Sequence, residues 1–103
     1  MMNEMKQVMV ALEADYPNGK GPADKAGWVA LLRDFRHLRA AVDKGEVIAF
    51  MNVNIRSQLA GSANTVLMYE KRVVDHDDGI VLTCDGTPRR MNKAQFNALA
   101  QPR

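Results

Sequence analysis

The spacing of apolar residues changes period at Gly45, and that switch constrains this chain more than any other feature. Before it, Met5, Val8, Met9, Leu12 and Tyr16 recur at helical spacing, with Glu4, Lys6, Glu13 and Asp15 between them. This pattern predicts an amphipathic helix over residues 3–16. The run Pro17-Asn18-Gly19-Lys20-Gly21-Pro22 ends it, because proline and glycine do not continue a helix. Asp24 is placed to cap a second helical segment whose apolar stripe is Trp28, Leu31, Leu32, Phe35, Leu38 and Val42. A break near Asp34–Arg36 would divide this segment into two short helices. Gly45, following Lys44, falls where a left-handed C-terminal cap belongs.

After Gly45 the period is two. Val47, Ala49, Met51 and Val53 alternate with Glu46, Ile48, Phe50 and Asn52, which predicts a strand with apolar residues on both faces. Residues 54–64 read as a polar loop. Thr65–Glu70 reads as a second strand, open to extension as far as Val74. Asp75-His76-Asp77-Asp78-Gly79 reads as a turn in which Asp78-Gly79 supplies a positive φ. Ile80–Thr83 is the third strand, Asp85-Gly86 a second tight turn, and Pro88–Arg90 a short fourth strand. Asn92 then opens a terminal helix. Gln95 completes a capping box with it, Met91 and Phe96 occupy the staple positions, and Phe96 and Leu99 dock the helix on the sheet. The expected fold is a single α+β domain over residues 1–103. Its N-terminal helices pack on a three- to four-stranded antiparallel β-meander, with a short C-terminal helix.

Composition bounds the function classes. With 103 residues, 47% hydrophobic and 25% charged, the chain can bury one modest core and is not a disordered polymer. Aromatic residues are few, so seven methionines must help fill the interior. A net charge of +2 does not call for a polyanionic partner, and no nucleic acid is expected. Apolar runs of about five residues fall far short of the ~20 a membrane helix needs, so no membrane contact by this chain is expected. Cys84 is the only cysteine, which excludes an internal disulfide.

No constellation of residues reads as catalytic. The densest polar cluster is the acidic turn Asp75, His76, Asp77 and Asp78, with Asp85 nearby. Hard cations take six to eight oxygen ligands from such groups, but the spacing matches no calcium loop, and hairpin turns favour Asp and Gly for backbone reasons. Neither a metal nor a cofactor is therefore assigned. Cys84 and His76 would have to meet across a hairpin to act as nucleophile and base. Cys84 also shares strand parity with Ile80 and Leu82, which points it into the core. Arg33, Arg36, His37, Arg39 and Lys44 give the second helical segment a basic side. Arg89, Arg90 and Lys93 form a smaller patch. No aromatic residue interleaves with either group, and Arg39–Asp43 is spaced as a helical ion pair, so both read as solvated faces. Asn18-Gly19-Lys20-Gly21 lies between helices, where a phosphate-cradling loop would need a preceding strand.

Three segments resemble a known pattern: Thr65-Val66-Leu67-Met68-Tyr69-Glu70-Lys71, then Asp78 to Thr87, then Met91-Asn92-Lys93-Ala94-Gln95-Phe96. They are similar to the strand, Asp-Gly hairpin and helix-opening segments of small uncharacterised planctomycete-type bacterial proteins. Those proteins in turn resemble the soluble C-terminal part of pseudopilin-like proteins of type II secretion and type IV pili. The stretch Met5–Tyr16 with its following loop is similar to the helix and loop after the membrane segment of pseudopilins. The resemblance implies a non-enzymatic interaction or assembly domain, the soluble headpiece of an envelope protein, whose partner is another protein or a second copy. It implies the envelope or periplasmic side; without it the chain would be expected in the cytoplasm. The expected contact residues are Asp75, His76, Asp77, Asp78 and Asp85, because turns on a rigid sheet commonly carry binding. A metal-dependent hydrolytic or metal-binding protein using Asp75–Asp78 is the alternative.

Overall fold

The computed structural model describes residues 2–58 and 60–102. Met1 and Arg103, at the limits of the expected domain, and Leu59, inside the expected loop, lie outside the described residues. The amphipathic N-terminal pattern forms α1, Met2–Asp15, which buries Met5, Val8 and Leu12. The second helical segment is indeed two helices, α2 (Lys25–Leu31) and α3 (Arg36–Lys44). The Asp24 side chain accepts from Gly27 N and so caps α2. At the other end of α3, Gly45 has φ 79°, in the left-handed region. Glu46 N donates to Ala41 O at 2.8 Å there, satisfying a carbonyl the helix leaves open.

Four strands follow: β1 (Val47–Ala49), β2 (Val66–Glu70), β3 (Gly79–Thr83) and β4 (Pro88–Met91). They lie in the order β1-β2-β3-β4, each antiparallel to the next, so the sheet is the expected meander. A short helical turn, α4 (Arg72–Asp75), sits between β2 and β3, and α5 (Lys93–Asn97) follows β4. Asn92 and Gln95 form the expected capping box at α5. After α5 the chain returns beside β2, where Ala100 O accepts from Val66 N at 3.0 Å.

The sheet is covered on both faces. Helices α1–α3 bury Met5, Val8, Leu12, Trp28, Leu32 and Leu38 in one cluster with Leu67, Met68 and Leu82 of the sheet. Val66, Val73, Val81 and Met91 form a second cluster, closed by Tyr69, Phe96 and Leu99. Val81 and Leu82 belong to different clusters because side chains alternate across a strand. The register shifts between Val66 and Met68, and this irregularity lets both Leu67 and Met68 join the first cluster. The rings of Tyr69 and Phe96 lie 4.7 Å apart, tilted by 44°, which fixes α5 against β2.

Three local expectations are corrected. The first strand stops at Ala49 rather than reaching Val53. Trp28 Nε1 donates to Phe50 O at 3.1 Å, and Asn52 turns the chain with φ 56°. Beyond it, residues 52–55 pair with the loop after α1, through Gly21 N to Val53 O at 2.8 Å and Ile55 N to Gly19 O at 3.1 Å. Second, the extension of β2 toward Val74 is the helical turn α4, which buries Val73 in the second cluster. Third, the positive φ at the β2–β3 connection belongs to Asp77, at 58°, and not to Gly79, which is already in β3. Gly79 is there because α4 comes close: a Cβ would lie 3.0 Å from Val73 N and 3.0 Å from Arg72 Cγ.

Candidate functional site

The acidic tip between α4 and β3 divides into two sides. Asp77 Oδ1 accepts from Lys93 N at 2.8 Å, so this carboxylate caps the start of α5. Asp78 faces β4, where Arg90 donates to it in a two-pronged fork at 2.9 and 2.7 Å. Arg72 Nε donates to the Asp78 carbonyl at 2.9 Å, and its Nη2 lies 3.6 Å from the carboxylate. The Arg90 hydrogen bond, with the charges of Arg90 and Arg72, holds the Asp78 carboxyl below its ordinary value against the opposing effect of desolvation. Asp75 and His76 lie on the other side. They line an open concavity of about 400 Å³ with Lys44, Glu46, Glu70 and Lys71.

Asp85 lies at the far end of β3, in the turn before β4. It accepts from the Thr83 hydroxyl and from Thr87 N at 3.1 Å, and Arg89 approaches it at 3.8 Å. Partial burial raises the Asp85 pKa, but those hydrogen bonds and Arg89 outweigh it and leave the carboxyl below its ordinary value. Of the expected contact residues, then, Asp75 and His76 share one concavity. Asp77 and Asp78 hold the tip to β4 and α5, and Asp85 shapes a separate turn.

Cys84 and His76 flank opposite ends of β3, whose five residues span ~17 Å at strand rise. They cannot act as nucleophile and base on one atom. Cys84 is 3% exposed, and burial, with a smaller contribution from Asp85, pushes its thiol up to about 11. A thiol so raised supplies little thiolate at neutral pH. Among the described residues, no three His, Cys, Asp or Glu side chains converge to hold a metal ion. No described helix is long and apolar enough to cross a membrane.

The structure sorts the basic side of the second segment into residues with partners and residues without. Arg33 donates to Asp15 at 3.2 Å and to Ala30 O at 3.1 Å. Arg39 reaches back to Arg33 O at 3.4 Å, rather than forming the ion pair with Asp43 that their spacing allowed. Glu4 of α1 caps the start of α3: its Oε1 accepts from His37 N at 3.2 Å and Leu38 N at 3.5 Å. Phe35, at the N-cap position, has no side-chain oxygen to do this. Glu4 Oε2 lies 3.4 Å from His37 Nδ1. No hydrogen bond or ion pair engages the Arg36 guanidinium or the Lys44 ammonium among the described residues.

Arg36, His37, Arg39 and Lys44 surround an open concavity of about 610 Å³ whose floor is Ala40 and Ala41, with Glu46 at one end. It adjoins the Asp75–His76 concavity, since Lys44 and Glu46 line both. By spacing alone these cations read as a solvated face of the helix. The readable signal was alanine at 40 and 41 between cations at 36 and 44, because residues four apart stand in line on a helix. The chain matches no protein-family model, no curated protein and no solved structure.

Proposed function

We propose that this chain is a non-enzymatic interaction or assembly domain, laid out like the headpiece of a pseudopilin-like envelope protein and working by contact rather than by bond-making. One observation carries the reading. The carboxylates and the thiol with chemical capacity are engaged in the fold, whereas the Arg36 and Lys44 side chains of α3 have no hydrogen-bond or ion-pair partner among the described residues. Cys84 is buried in the main cluster, Asp77 caps α5, Asp78 is clasped by Arg90, and Asp85 closes its own turn. The pseudopilin-like layout is supported by a leading helix laid against a four-stranded antiparallel meander. The contact surface in this reading runs from α3 to the exposed side of the acidic tip, and includes Asp75 and His76.

The test is site-specific photo-crosslinking in cells of the native source. A benzophenone side chain is placed at Ala40, at His76 and, as a control away from both concavities, at Ala63. Discrete adducts from Ala40 or His76 and none from Ala63 are expected. Absence of an adduct at every surface position tried would refute an assembly role.

A further inference from the structure

We infer that the α3 concavity is a docking groove for an acidic polypeptide segment; this deepens the interaction reading and rests on it. Arg36, Ala40 and Lys44 stand in one row along α3, four residues apart, and His37, near the start of the helix, lines the same concavity. Ala40 leaves the middle of that row without side-chain bulk, so the longer cationic side chains stand around it. Small residues at such positions let another backbone approach closely. The concavity is open and of about 610 Å³, room for several side chains laid along the helix.

Charge complementarity selects the occupant. Among the described residues, Arg36, Arg39 and Lys44 line this groove, and Glu46 is the one carboxylate in its lining. From Arg36 to Lys44 the cations extend over ~12 Å of helix, at 1.5 Å per residue, rather than converging on one point. A single phosphate is held best by donors aimed at one centre, as in a bidentate fork. A polypeptide with carboxylates spaced along its length matches a row of cations instead. Among the described residues the lining holds no Phe, Tyr or Trp on which a nucleobase could stack.

Glu46 orients the segment. It repels a carboxylate at the Gly45 end, so the acidic residues lie over Arg36, Arg39 and Lys44. Beyond Lys44 the groove becomes mixed in charge, with Lys71 and Arg72 beside Glu70 and Asp75. The bound segment is therefore acidic over α3 and of mixed charge toward α4.

The experiment measures fluorescence anisotropy of a fluorescein-labelled twelve-residue Glu/Ala peptide with the full chain, at low and at physiological salt. Binding is expected, weakened at least about tenfold by Arg36→Glu with Lys44→Glu, as for loss of close charge pairs. Ala40→Leu, which changes no charge, should weaken it as well by filling the floor, and Arg56→Glu, on another face, should leave it unchanged. Intrinsic fluorescence of Trp28 confirms that each variant is folded. Absence of peptide binding, indifference to Ala40→Leu, or tighter binding of tripolyphosphate or of phosphatidylserine vesicles than of the peptide would overturn the proposal. Crosslinks from His76 alone, with no peptide binding here, would sink the acidic-segment groove and leave the interaction reading standing.

Discussion

Replacing Gly79 with alanine should destabilise the domain although its backbone is ordinary strand. A Cβ there would lie 3.0 Å from Arg72 Cγ, 3.0 Å from Val73 N and 3.2 Å from Val73 Cβ. None of the three gives way easily. Arg72 is anchored by its Nε bond to the Asp78 carbonyl at 2.9 Å, and Val73 is fully buried in the second cluster. Overpacking of this kind costs about 1–3 kcal/mol, whereas alanine in an open strand position would gain ~0.5–1 kcal/mol over glycine. The midpoints of these ranges leave a net loss of roughly 1 kcal/mol, or a fall in Tm of about 4–8 °C for a domain near this size. Urea denaturation followed by the fluorescence of Trp28, the only tryptophan and fully buried, reads this directly. Gly79→Asn separates the packing argument from a turn argument. Asparagine tolerates a positive φ, so it would be accepted if Gly79 served the turn and rejected if α4 occupies the space. An Asn variant as stable as the parent, or an Ala variant within ~0.5 kcal/mol of it, would refute the reasoning.

Two further outcomes follow from the site. Asp78 and Asp85 both titrate below their ordinary values in the folded chain, so each stabilises the fold above the usual carboxylate range. That contribution is lost as pH falls from there through the lowered folded values; Asp85→Asn should flatten the acid limb of stability against pH, and an unchanged limb would contradict it. Cys84 should react with a disulfide reagent at pH 8 only as fast as the chain unfolds, given its burial and a thiol pushed up to about 11. Labelling in native buffer at the rate of a free thiol would show that the site is open.

Much of the fold was legible because it rests on local rules. The capping box at Asn92, the left-handed Gly45, the break between α2 and α3 and the order of four strands each follow from residue type and spacing over a few positions. What stayed hidden depends on partners distant in sequence. Nothing local announces that Glu4 caps α3 some thirty residues on. Nothing local shows that Asp77 is committed to Lys93 N or that Arg90 closes on Asp78. The acidic tip therefore read as a free contact surface, when two of its carboxylates are bound to β4 and α5.

The amino-acid sequence alone determined α1–α3, the four strands, α5 and their order, though not α4, since helix and strand periods, caps and turns are set by contacts between near neighbours. Only the tertiary structure decided which charges are used up in holding the chain together and which have no partner among the described residues. A long-range ion pair or cap is chosen when packing brings two segments within about 3 Å of each other. Gly79 shows the same division: its residue type was visible from the start, and the reason for it appeared only when α4 was found lying against it.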